Sequence, residues 1–167
     1  MSVHEHKANA PQSVRVALVT LSDTRTEATD KSGQAAHELV ARAGHTVGSY
    51  RILRDEPSDV VAHVKTLCAS GSVDAIITSG GTGLSSRDRT YEALSSLFER
   101  ELRGFGELFR MLSYGEIGSA AMLSRATAGL FRGVAIFACP GSEAALRLAM
   151  EKLILPELPH IVREIRR

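Results

Sequence analysis

Several common signatures are missing from this chain. Lysine and arginine total 20 against 19 aspartates and glutamates, a formal charge of +1, so no field of one sign draws it to nucleic acid or to a membrane. No apolar run approaches the roughly 18 residues of a spanning helix. The opening MSVHEHKANAPQ is too polar for a secretory signal, so the expected address is cytoplasmic. Only two cysteines occur, Cys68 and Cys139, inside apolar segments without metal-type spacing; they read as reduced core thiols. No G-x-x-x-x-G-K-[ST] is found, which excludes a P-loop, and no G-x-S-x-G, which argues against serine hydrolysis.

What is present fits one compact domain: 167 residues, 44% of them hydrophobic. Residues 1–12, with His4 and His6, lack periodicity and read as a flexible N-terminal arm; residues 13–167 form the single domain. "VRVALVTL" from Val14 to Leu21 has the pattern of a mostly buried strand. A polar loop, "SDTRTEATDKSG", follows, and "QAAHELVARAG" is a helix stopped by Gly44. "HTVGSYRILRDE" is a weaker second strand. A helix capped by Ser58 comes next, with Val60, Val61, Val64, Leu67 and Cys68 on one stripe. "VDAIIT" is the third strand and "TYEALSSLF" the next helix. From Glu99 to Phe131, glycines interrupt helical pieces such as "ELFRML" and "SAAMLSRATAG". "GVAIFACPGS" is a strand and turn, and Ser142 caps a long final helix. This alternation predicts an α/β fold, a three-layer α/β/α sandwich on a mostly parallel central sheet.

Ligands of open parallel sheets sit beyond the carboxyl ends of the strands. Three loops of unusual composition leave that edge, "SDTRT", "SGGTGLSSRD" and "CPGS", and they are expected to meet. In the middle one, Gly80, Gly81 and Gly83 allow positive φ and close approach to the backbone, while Ser79, Thr82, Ser85 and Ser86 add hydroxyls, a cradle suited to phosphate. Gly81, Gly83 and Ser86 imitate a dinucleotide fingerprint, but it follows the wrong strand, and Glu101 and Glu107 lie in helical sequence. Asp88 would repel an anion unless a cation such as Mg²⁺ reversed the sign, with Arg87 and Arg89 as counter-ions; its plainer role is a helix-start acid. Asp55, after the second strand, could reach the same edge or sit in a solvated turn.

The ordered motifs "TLSDTRT", "RDEP", "TSGGTGLSSRDRTYEAL", "LSRATAG" and "CPGS", spread over residues 14–160, resemble the molybdenum cofactor biosynthesis protein B family. That family is related to the molybdopterin adenylyltransferases and to gephyrin-type G domains. "GFGELFRMLSYGEIGSAAMLSRA" leans towards the B branch. The resemblance implies binding of molybdopterin, a pterin dithiolene with a terminal phosphate, and transfer of AMP from Mg-ATP to that phosphate with release of pyrophosphate. It also implies a homotrimer or homohexamer and, as a further partner, the molybdate-inserting enzyme of the pathway. A non-catalytic molybdopterin carrier is the alternative. Carried over by motif, Ser79, Gly80, Gly81, Thr82 and Gly83 cradle the phosphates, and Asp88 and Asp55 are the catalytic acids and metal ligands. Ser22, Asp23 and Thr24 match the first loop, and Ser124, Arg125, Pro140, Gly141 and Ser142 complete the wall. Two positions depart from the family pattern: Tyr91 and Arg54 each replace a proline. The segments "LFRML", "SAAML" and "AMEKLILPELPHIV" offer apolar surface for either an interface or a thick core.

Overall fold

The computed structural model describes residues 10–167, so most of the expected arm, including His4 and His6, lies outside the described residues. The chain runs β1 (Arg15–Leu21), α1 (Lys31–Arg42), β2 (Thr46–Leu53), α2 (Pro57–Ser70), β3 (Ala75–Ser79), α3 (Thr90–Ser95), β4 (Arg100–Glu101) and α4 (Arg103–Ile117). A 3₁₀ segment, Gly118–Leu123, leads into β5 (Thr127–Phe131) and β6 (Val134–Cys139). Then come α5 (Glu143–Ala149), a π turn (Met150–Ile154) and α6 (Leu155–Ile165). The strands make one six-stranded sheet in the order β2-β1-β3-β6-β5-β4. β2, β1, β3 and β6 run parallel, and β5 alone is reversed, pairing antiparallel with both β6 and β4.

Strand periodicity divides the core in two. Val16, Leu18, Ala75, Ile77, Ala135 and Phe137 meet α1, α4, α5 and α6, while Ala17, Val19, Leu21, Ile76, Ile136 and Ala138 meet α2 and α3. The chain leaves β1 to one side for β2, and α2 then carries it back past β1 to β3. The reversal places a topological switch point at the carboxyl ends of β1 and β3, the edge where α/β sheets take ligands.

Local details depart from the sequence reading. α1 starts at Lys31, inside the expected loop, because Asp30 caps it by accepting from the Gly33 amide at 3.0 Å. α2 begins at Pro57 after Glu56, which makes no side-chain capping bond; a proline preset for the first turn replaces the expected Ser58 cap. The glycines of the 99–131 segment do not break α4, which runs 15 residues. Gly106 instead lets the helix lie close to its neighbour, since a Cβ there would stand 2.6 Å from the Ala126 carbonyl. "TAG", read as the end of the helical piece "SAAMLSRATAG", instead opens β5; Arg132 (φ 48°) and Gly133 (φ 75°) turn that strand into β6 as a tight hairpin. The final helix widens into the π turn just before Pro156 and Pro159, which lack an N–H and would crowd a regular turn.

The apolar C-terminal run proves to be core: Ala149, Met150, Ile154, Leu158 and Val162 are buried. Leu108, Met111, Met122 and Leu123, by contrast, are exposed together with Tyr114 and Ile117. Cys68 and Cys139 are buried and unpaired; burial pushes their thiols up to about 11 and about 12, so both stay protonated. Among the described residues, no helix is long and apolar enough to cross a membrane.

Candidate functional site

The three loops do meet. The Gly80 amide donates to the Cys139 carbonyl at 3.0 Å, and a Cβ on Gly141 would lie 3.3 Å from the Gly80 Cα. Arg25, from the first loop, donates through Nη2 to the Gly141 carbonyl at 3.0 Å, and Arg87 of the middle loop pairs with Asp23 of the first. Gly80 has φ +118°, with the Leu21 carbonyl 2.5 Å from where its Cβ would be; Gly81 has φ +65°. Side chains are excluded at both positions by conformation and by space.

The loop's hydrogen bonds fall into an asymmetric pattern. Its carbonyls are taken: Gly81 O by the Thr90 amide at 3.1 Å, Thr82 O by the Arg125 amide at 3.1 Å, and Gly83 O by Arg125 Nε at 2.9 Å. Its amides are not. Among the described residues, the N–H groups of Gly81, Thr82 and Gly83 donate to nothing, although Gly81 and Thr82 are buried. Unpaired buried amides side by side make a concavity for an anion, because leaving such donors empty is costly.

They border a cavity of about 440 Å³. Of the residues expected from the sequence, Gly80, Gly81, Thr82, Gly83, Asp88, Ser124, Pro140, Gly141 and Ser142 line it. Ser79 is buried beneath, at the end of β3. Ser22 turns its hydroxyl back to the amides of Thr24 and Arg25, while Asp23 and Thr24 are exposed on the first loop, outside the cavity wall. Asp55 stands behind the loop against Gly81, accepting from the Thr90 hydroxyl at 3.0 Å. Asp88 stands against Gly83, and its carboxylate accepts from the Ser85 amide at 3.0 Å. Burial, followed by the charges of Asp88 and Asp23, raises the Asp55 pKa, opposed by the Thr90 hydrogen bond and by Arg87.

The opposite wall escaped the sequence reading. Phe109, Ser113 and Ile117 of α4, with Ala121 and Leu123, give the cavity an apolar side facing the polar loop. Their i, i+4, i+8 spacing was the available signal, hidden once α4 was read as broken at its glycines. Beyond the Ser124–Arg125 segment a second, charged cavity of about 460 Å³ is lined by Arg103, Arg110, Arg125, Glu101 and Glu107. Arg110 and Arg125 there already donate to backbone carbonyls. The glycine-loop cavity combines unpaired amides with an apolar wall, the two halves that a phosphate-bearing ring system requires.

Residues 17–160 match the family model described as "Probable molybdopterin binding domain". The chain is 52% identical to the molybdenum cofactor biosynthesis protein B of Bacillus subtilis over 168 aligned residues, covering 100% of this chain and 99% of that one. A crystal structure of a molybdenum cofactor biosynthesis protein B superposes with a TM-score of 0.92 at 54% identity, over 95% of this chain and 99% of the other. The tungsten cofactor synthesizing protein MoaB from Pyrococcus furiosus superposes with a TM-score of 0.85 at 36% identity, over 95% and 100%.

Proposed function

This chain belongs to the molybdenum cofactor biosynthesis protein B family, with a molybdopterin-binding domain, and from that premise we propose that it is a molybdopterin adenylyltransferase. It transfers AMP from Mg-ATP to the terminal phosphate of molybdopterin, giving adenylylated molybdopterin and pyrophosphate. The observation that carries this reading is the row of unpaired amides at Gly81, Thr82 and Gly83 between two carboxylates, Asp55 and Asp88. The phosphate sits on the amides and the pterin lies against Phe109, Ile117 and Leu123. An oxygen of that phosphate attacks the α-phosphorus of ATP in line. The new P–O bond forms as the bond to the β-phosphate bridging oxygen breaks, and pyrophosphate leaves with that electron pair. The loop amides stabilise charge on the reacting phosphoryl oxygens without rearranging.

Asp55 and Asp88 fit Mg²⁺. Asp55, raised by burial and by two neighbouring carboxylates, sits in an electrostatic setting that a divalent cation relieves. No group of three or more His, Cys, Asp or Glu forms a metal cage among the described residues. That donor set suits an ion held by one or two carboxylates plus substrate phosphates and water. When bound, Mg²⁺ supplies charge neutralisation on the triphosphate.

The test is incubation of the purified protein with molybdopterin, ATP and Mg²⁺, reading adenylylated product and pyrophosphate. Asp88→Asn is expected to lower turnover by about 100-fold or more while changing molybdopterin affinity little. Parental turnover in that variant would remove the metal role. Binding without product in the parent would instead leave the carrier reading.

Self-association as a homotrimer or homohexamer is part of the same proposal, supported by the exposed Met111, Tyr114 and Ile117 of α4 and Met122 of the 3₁₀ segment that follows it. The product then passes to the molybdate-inserting enzyme.

A further inference from the structure

Three serines border the glycine-loop cavity, Ser113, Ser124 and Ser142, and two of them are occupied. Ser124 Oγ accepts from the Ala126 amide at 3.3 Å, and Ser142 Oγ from the Ala145 amide at 3.3 Å. Ser113, on the buried face of α4, is only 5% exposed, and among the described residues its hydroxyl has no hydrogen-bond partner. A helical hydroxyl can turn back to a carbonyl three or four residues earlier, as Thr66 does to Ala62 and Ser70 to Leu67 in α2. Ser113 makes no such bond. Nor is its oxygen sealed in the packing, as the Ser95 hydroxyl is; it opens on the cavity.

Phe109 and Ile117 stand one helical turn to either side of it, with Ala121 and Leu123 beyond. None of these neighbours brings a charge, so this wall suits a neutral planar ring rather than a second phosphate. A buried hydroxyl without a partner carries its full desolvation cost, and here a partner can arrive through the cavity. We propose that Ser113 is a specificity-determining residue, its hydroxyl hydrogen-bonding the polar edge of the ring system that lies on the apolar wall, so that the site selects a nitrogen heterocycle over a carbocycle of the same size. This rests on the molybdopterin reading above, whose pterin carries ring nitrogens, an amino group and an oxo group along its edge. The hydroxyl both donates and accepts, so it serves either kind of edge atom. A ring lacking them would leave the serine unpartnered, which is how a hydrogen-bonding site rejects an analogue.

The experiment uses the full-length wild type, Ser113→Ala and Ser113→Cys. Three probes are titrated: molybdopterin, 6-hydroxymethylpterin, which has the ring edge without the phosphate, and inorganic phosphate as a competitor. Ser113→Ala is expected to weaken both pterins by the same factor of about 10, the worth of one buried hydrogen bond, and to leave phosphate competition unchanged. Ser113→Cys fills the space with a weak donor and should bind as poorly as the alanine. The thermal midpoint of ligand-free Ser113→Ala should be at least that of the wild type, since an unpartnered hydroxyl has left the interior. A purely structural serine would lower it. Wild-type pterin affinity in either variant, or a lower midpoint together with weakened phosphate competition, would overturn the role of Ser113. A wild type that binds molybdopterin no tighter than 6-hydroxymethylpterin, with the serine effect intact, would leave that role standing and sink the phosphate seat.

Discussion

Asp55 is placed where its charge is unwelcome. Half-buried against Gly81 and in the field of Asp88 and Asp23, its carboxyl has a raised pKa. With the folded-state value above the unfolded one, the fold favours the protonated form. The stability this contributes is complete below the unfolded value and is lost as pH rises through the folded one. Asp55→Asn is therefore expected to raise the thermal midpoint of the ligand-free protein at about pH 8, with the gain shrinking to nothing towards about pH 3. The same variant should lose adenylyl transfer. A lower midpoint in the variant at alkaline pH, in thermal melts across that range, would mean that Thr90 and Arg87 over-compensate the burial. A site residue that destabilises its own empty protein is what a position reserved for a cation predicts.

At the scale of the elements, Ser142 has two duties that substitution can separate. Its hydroxyl accepts from the Ala145 amide at 3.3 Å, capping α5, while the residue also lines the cavity. Ser142→Ala should cost about 1 kcal/mol in urea denaturation, whereas Ser142→Asp keeps the cap at little cost. The aspartate also sets a negative charge beside the anion seat, so it should weaken molybdopterin binding more than the alanine does. Aspartate binding as well as wild type would place the phosphate away from this helix. The cap was legible in the sequence because a capping serine and its partner are three residues apart. The β5–β6 hairpin was not, since "RG" is a weak turn signal and β5 contains Gly129, which the sequence reading took as a breaker. In the fold Gly129 is there for close approach, because any Cβ would collide with the Phe98 ring. The helix α4 was misread for a related reason. Its glycines at 104 and 115 face open space and cost only propensity, which tertiary burial of Phe105 and Phe109 outweighs.

Two buried carboxylates tie the molecule together and set its response to acid. Burial alone would raise the Asp30 pKa, but hydrogen bonds from Thr20, the Gly33 amide, Tyr50 and Ser32 outweigh it and hold the value below the usual range. Asp74 is likewise lowered, burial being overcome by Arg15 at the start of β1 and by Arg166 beyond α6. Both folded values lie below the unfolded ones. The stability they contribute is thus present above the ordinary carboxylate pKa of about 4 and is lost as pH falls through the folded values. Urea midpoints are expected to hold near neutrality and to fall steeply below about pH 4. Asp30→Asn, which turns an amide towards a ring of donors, should cost about 3 kcal/mol at neutral pH and flatten that decline. An unchanged acid profile in the variant would remove Asp30 from the account.

The sequence by itself determined the alternation of strands and helices, the parallel character of the sheet's centre and the three loops at its carboxyl edge. Those features are written in local periods of two and 3.6 residues and in the small polar residues that a turn needs. Only the tertiary structure decided that the loop carbonyls are taken by the amides of Thr90 and Arg125 and by the Arg125 guanidinium, that α4 supplies the apolar wall, and that Asp55 stands behind Gly81. Arg25 and Gly141 are 116 residues apart, and Arg125 and Gly83 are 42 apart. Such pairs are brought together by strand order, and no short-range pattern records which strand will lie beside which.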